Sequence, residues 1–161
     1  MTRALRTLFA TFALALASAQ AQAPIDLKVA LVIGNAGYQR ALLNPVNDAK
    51  AMGETLRGLG FEVIEVRDGS KVQMAEAINK LQATLKGKQG VGMLYYAGHG
   101  LQIDARNFMV PVDARIAKAG DVPAQTVDVA AVIDAFKTAG NRMSIVVLDA
   151  CRDNPFGGIT T

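Results

Sequence analysis

His99, the one histidine of the chain, stands in Tyr95-Tyr96-Ala97-Gly98-His99-Gly100, directly after an apolar run and between two glycines. Cys151, the one cysteine, closes Asp149-Ala150-Cys151 after a second apolar run, Ser144 to Leu148. A thiol beside an imidazole can form a thiolate at neutral pH and attack a carbonyl, while the imidazole protonates the leaving amine and later activates water. The oxyanion formed on the way needs preorganised donors, and the backbone N–H groups of Gly100 and Cys151 are the natural candidates. The glycines let the turn come close to something else, which suits a substrate. Taken singly, each residue has a plainer reading: a lone histidine is often structural, and a lone cysteine after a buried strand is often a small hydrophobe. Their chemistry depends on whether the fold brings them together.

The segments that carry them alternate between strand and helix. Lys28 to Ile33 is a short apolar run that suits a buried parallel strand. Asn44-Pro45 opens a helix with a capping residue and a proline at the first position, and Ala49, Met52, Leu56 and Leu59 form its apolar face before Gly60 stops it. Phe61 to Val66 alternates as a second strand. Ser70 and Gln73 have capping-box spacing for a second helix buried through Met74, Ile78, Leu81 and Leu85. The third strand, Val91 to Tyr96, delivers His99. Leu101 to Val110 reads as a small hairpin turning near Asp104 to Asn107. A third helix, Asp128 to Ala139, sets Val129, Val132, Ile133 and Phe136 on one face and ends at Gly140-Asn141. Ser144 to Leu148 is the fourth main strand, leading to Cys151. This order implies an α/β fold of three layers, αβα, with a mostly parallel sheet covered by helices on both faces. Sites in such sheets gather at the carboxyl ends of the strands, so if the third and fourth strands are neighbours, imidazole and thiol converge on one edge.

The chain of 161 residues, 51% of them hydrophobic, fits one domain with a substantial core. Arg3 and Arg6, an apolar stretch from about Leu8 to Ala17 and the small-x-small Ala19-Gln20-Ala21 read as a secretory signal over residues 1–21. A secreted or periplasmic location follows from it. The stretch is shorter than the roughly 20 residues that span a bilayer, and no later segment is long enough, so no stable membrane span is expected once the signal is removed. Without Arg3 and Arg6 the formal charge of +3 falls to +1, which leaves little footprint for nucleic acid. A single cysteine excludes an intramolecular disulfide, and no CxxC pair or histidine cluster offers a transition-metal site.

From Lys28 to about Phe156 the sequence resembles the catalytic large-subunit region of the caspase and metacaspase clan, peptidase family C14. The anchors are KVALVIGNAGY, NPVNDAKAM, YYAGHG and VVLDACRDNPF in that order, with Ala150-Cys151-Arg152 placed 52 positions after His99. The resemblance implies a caspase-like fold over residues 28–161, after a linker at 22–27, and a cysteine endopeptidase acting on protein or peptide substrates with His99 and Cys151 as its dyad. Asp48 and Asp149 fall where metacaspases carry acidic pocket residues, so cleavage after arginine or lysine is expected: paired carboxylates favour a guanidinium and repel an acidic side chain. The plainer reading has Asp48 complementing a helix dipole and Asp149 tying down a strand-end loop through backbone N–H groups. Arg40 and Arg152 would be the binders of an acidic side chain.

Two departures from metacaspases stand out: Ala97 in place of a serine two before the histidine, and Arg152-Asp153-Asn154 in place of His-Ser-Gly after the cysteine. Many metacaspases are activated by calcium through surface aspartates. Asp113 is a loose positional match and Asp128 a looser one, but without an EF-hand-like loop they read as solvated turn acids, and no cofactor is required. The caspase fold also continues into small-subunit strands beyond the cysteine, so a further C-terminal segment or a partner domain is implied. The rival to an active peptidase is a catalytically silent signalling or scaffolding module of the same fold. A small-molecule-binding flavodoxin-like domain is weaker, because Gly34-Asn35-Ala36-Gly37 lacks the phosphate-cradling GxGxxG.

Overall fold

The computed structural model describes Ile25 and residues 27–150. The expected signal at 1–21, most of the linker, and everything from Cys151 onward lie outside the described residues. Along the chain run β1 (Lys28–Gly34), α1 (Pro45–Gly58), β2 (Glu62–Arg67), α2 (Lys71–Leu85), β3 (Val91–Ala97), β4 (Gly100–Ile103) and β5 (Arg106–Met109). There follow a 3₁₀ turn at Ala119–Asp121, α3 (Val122–Gln125), β6 (Val127–Asp128), α4 (Val129–Ala139) and β7 (Met143–Asp149).

Four strands form a parallel sheet in the order β2-β1-β3-β7. Alternation along β1 shows why helices cover both faces: Val29, Leu31 and Ile33 pack in one core cluster with residues of α2 and α4, and Ala30 and Val32 pack in another with Ala49 and Leu56 of α1. β3 is buried at all seven positions, as a central parallel strand must be. This is the three-layer αβα architecture expected from the sequence. Two glycines let the layers close. A Cβ on Gly34 would lie 2.5 Å from the Pro45 carbonyl oxygen, where α1 meets β1, and one on Gly92 would lie 2.4 Å from the Phe136 ring of α4.

The helix starts divide. Ser70 and Gln73 form the expected capping box on α2. Pro45 does open α1, but Asn44 has helical backbone angles and makes no side-chain cap bond, so it is not the capping residue the sequence suggested. Leu59 is 59% exposed, since it sits where α1 has already ended, and Ile133 is 41% exposed on the rim of the α4 stripe. Both were expected in the core. The hairpin β4-β5 turns through Asp104 and Ala105, both with positive φ, so Arg106 and Asn107 already belong to the returning strand. β6 then adds a third, antiparallel strand to the hairpin.

Candidate active site

The third and fourth main strands are neighbours. β3 and β7 pair in parallel with Ala97 opposite Asp149, and the Gly98 N–H donates to the Asp149 carbonyl at 3.4 Å. The two chain segments therefore leave the sheet side by side at its carboxyl edge. His99 is the second residue after β3; Cys151 lies outside the described residues.

An open cavity of about 1160 Å³ lies over that edge. His99, Ala97 and Gly98 line it from β3, Asp149 from β7 and Asp48 from the first turn of α1. The loop after β1 contributes Tyr38 and Arg40, and the segment after β5 contributes Arg115. Both acidic residues singled out in the sequence thus share one cavity with the histidine. Gly100 lines a separate, smaller cavity of about 100 Å³ with Tyr96, Leu148 and Ala150. In the β4-β5 ladder the Val110 N–H donates to the His99 carbonyl at 3.1 Å, which makes Gly100 and Met109 the wide pair, so the Gly100 N–H points away from β5.

His99 is half-buried, and loss of hydration holds its pKa below the ordinary 6.5, which favours the neutral imidazole. Two tyrosines surround its backbone. The Tyr96 hydroxyl donates to the His99 carbonyl at 2.6 Å, and the Tyr38 hydroxyl accepts from the His99 N–H at 3.1 Å while donating to the Val110 carbonyl at 2.9 Å. The Tyr38 ring also lies against the imidazole, with centroids 4.4 Å apart and planes tilted by 48°. Gly98, with φ +155°, is what admits this pair: a Cβ there would lie 2.7 Å from each hydroxyl oxygen. The glycine before the histidine thus makes room for two tyrosine hydroxyls, where the sequence suggested close approach of a substrate.

Asp149 is held by a side chain from the neighbouring strand. The Tyr95 hydroxyl donates to its Oδ2 at 2.9 Å. Burial, that hydrogen bond and the charges of Asp149 and Asp48 push the Tyr95 pKa up to about 12, so the phenol remains a donor at any physiological pH. Among the described residues, this hydroxyl is the hydrogen-bond donor to the Asp149 carboxylate. Asp113 and Asp128 are occupied as caps: Asp113 accepts from the Lys71 N–H at the start of α2 at 3.0 Å, and Asp128 accepts from the Ala130 N–H of α4 at 2.9 Å and pairs with Arg106. Asp113 is an exposed turn acid, as the sequence suggested, whereas Asp128 is the capping residue of α4 and no turn acid. Among the described residues no three acids, histidines or cysteines cluster as a metal site would require. No helix among them is long and apolar enough to cross a membrane.

Tyr38, Tyr95 and Arg115 join the site without having been foreseen. Tyr95 and Tyr96 sit in an apolar run where tyrosine reads as core, and Arg115 lies in a loop without a pattern. Tyr38 had the only usable signal, its place at the end of the first-strand anchor KVALVIGNAGY.

A parallel sheet between helical layers, with a histidine and two acids lining one cavity at its carboxyl edge, is the arrangement of a caspase-like protease fold. Residues 27–161 match the family model of the caspase domain, Peptidase C14, and the chain belongs to that family. It is 40% identical over 89 residues to human mucosa-associated lymphoid tissue lymphoma translocation protein 1, covering 54% of this chain and 11% of the human one. The mouse homologue gives the same identity and coverage. The chain thus spans only about a tenth of these relatives. Among solved structures, protein GSU0716 from Geobacter sulfurreducens superposes with a TM-score of 0.59 over 78% of this chain and 50% of its own, at 18% identity. That likeness supports the shared fold.

Proposed function

We propose that the protein is a cysteine endopeptidase that cleaves peptide bonds after arginine or lysine, with His99 and Cys151 as its dyad. The observation that carries the reading is the in-register pairing of β3 with β7, which starts the histidine and cysteine segments side by side. The neutral His99 imidazole takes the thiol proton as the Cys151 sulfur adds to the substrate carbonyl. The resulting imidazolium gives that proton to the leaving amine as the C–N bond breaks. Water, deprotonated by His99, then adds to the thioester, and collapse returns the thiol and releases the carboxylic acid. The Gly100 and Cys151 N–H groups stabilise the oxyanion in both halves, a role for which the ladder leaves the Gly100 N–H unused by β5. Thiol, imidazole and water account for every proton and electron pair, so no cofactor enters the reaction.

Asp48 and Asp149 would receive the basic side chain preceding the cut. Their shared cavity supports this, and Tyr95 leaves Asp149 Oδ1 for a second donor. Residues 1–21 would direct the chain to the periplasm or outside the cell, a reading checked by the mass of the mature N-terminus. A silent scaffold is favoured by one observation: Ala97 offers the cavity a methyl where metacaspases carry a hydroxyl.

An alkylating peptide probe ending in arginine separates the two. Labelling should require Cys151, drop sharply in His99→Ala, vanish on denaturation and exceed that by a matching probe ending in aspartate. Equal labelling of the wild type and His99→Ala would exclude the dyad, and preference for aspartate would exclude the acidic pocket.

A further inference from the structure

We propose that Tyr38 is the positioning residue of His99, its ring fixing the tilt of the imidazole and its hydroxyl fixing the main chain that carries it. The inference rests on His99 being the acid and base of the site. Ring and backbone are both engaged: the ring centroids lie 4.4 Å apart, and the His99 N–H reaches the Tyr38 hydroxyl at 3.1 Å. The other contacts of that hydroxyl are redundant, because the Val110 carbonyl also accepts from Asn35 Nδ2 at 3.1 Å and lies 3.1 Å from the Tyr96 hydroxyl. What Tyr38 alone supplies among the described residues is an acceptor for the His99 N–H and an aromatic wall for its side chain.

A positioning residue must itself be held. Asp68, which follows β2, accepts from the Ala36 N–H at 2.7 Å and the Gly37 N–H at 2.8 Å, immediately before Tyr38. Asn35, fully buried, adds bonds to the Val110 carbonyl and from the Gly69 N–H. The loop after β1 is therefore tied to β2 on one side and to the segment after β5 on the other, with Tyr38 projecting between them onto His99. Displacing a reacting group by about 1 Å can cost two orders of magnitude in rate, so a side chain that sets the imidazole's tilt sets the turnover number more than substrate affinity.

The uniqueness of His99 makes the test direct, since every imidazole signal in a proton spectrum of the untagged protein belongs to it. Spectra are recorded across pH on the full-length Cys151→Ala protein, so that no thiol titrates alongside, with and without Tyr38→Phe or Tyr38→Leu. The titratable and charged groups around the imidazole, Tyr96, Asp48, Asp149, Arg40 and Arg115, are the same in all three. In Tyr38→Leu the ring-current displacement of the imidazole signals should disappear, and the titration midpoint should rise towards 6.5 as water gains access. Tyr38→Phe should keep the displacement and shift the His99 amide signal instead. In the Cys151 background, Tyr38→Leu should lower kcat on an arginyl peptide by about 10- to 100-fold at nearly constant KM, and Tyr38→Phe should lie between it and the wild type.

Imidazole signals and a midpoint in Tyr38→Leu that match those of the parent protein would overturn the proposal. So would a loss confined to KM, which would make Tyr38 a wall of the substrate cleft. Should the wild type turn over no peptide at all, the dyad reading fails, while the spectra still decide whether Tyr38 holds the imidazole.

Discussion

Asp149 enters the cavity with one carboxylate oxygen already engaged by Tyr95, and Asp48 enters it from α1 with no such tether among the described residues. That difference ranks the two. Asp149→Asn should lower kcat/KM for an arginyl peptide by roughly 10- to 100-fold, the value of a charge-assisted hydrogen bond, and Asp48→Asn should do less. Steady-state kinetics on paired arginyl and citrullinyl peptides check this, because both variants should narrow the preference for the charged side chain. Desolvation of His99 sets the pH profile: kcat/KM should rise as the imidazole loses its proton, on a limb centred below 6.5. The lining of the cavity was only half legible. Histidine and aspartate announce themselves by type, and the places of His99 and Asp149 at strand ends, with Asp48 in the first turn of α1, made a shared cavity foreseeable. Tyr38 and Tyr95 act through hydroxyls whose partners are remote in sequence, 61 positions away for His99 and 54 for Asp149. Nothing local separates such a tyrosine from one that only fills the core.

The elements that carry these residues depend on a close approach of β1 to α1 and on a cap at the start of α2. Gly34→Ala would drive a methyl into the Pro45 carbonyl and Ala49, neither of which can step aside without moving α1. A cost of about 1–3 kcal/mol in urea unfolding is expected, with activity falling alongside because α1 carries Asp48. Ser70→Ala removes the reciprocal cap of α2 and should cost about 1 kcal/mol. Secondary structure was legible where periodicity and punctuation agreed, as in α2, whose four expected core residues are all buried. It failed at edges. Leu59 and Ile133 continue a helical stripe that the surrounding layers no longer cover, and β6 is too short at two residues to carry a pattern. A capping residue beside a proline was equally ambiguous at Asn44, because Pro45 begins α1 unaided.

For the molecule as a whole, one histidine makes a simple prediction about stability. His99 is harder to protonate when folded, so above pH 6.5 it is neutral in both states and costs nothing. As pH falls through 6.5 the unfolded chain binds the proton first and stability declines, levelling once the pH has passed the lower folded value. Urea midpoints at closely spaced pH values should show this step below pH 6.5, and His99→Gln should lack it.

The pairing of β3 with β7 has one more consequence. A ladder can shift only by whole residues, about 3.3 Å at a time, and each single step turns every side chain of the strand to the opposite face. The separation of the histidine and cysteine segments is therefore quantised where they leave the sheet. Damage to β7 should divide the population into molecules with the wild-type rate and molecules with none, so that an active-site titration would fall while the rate per titrated site stayed constant.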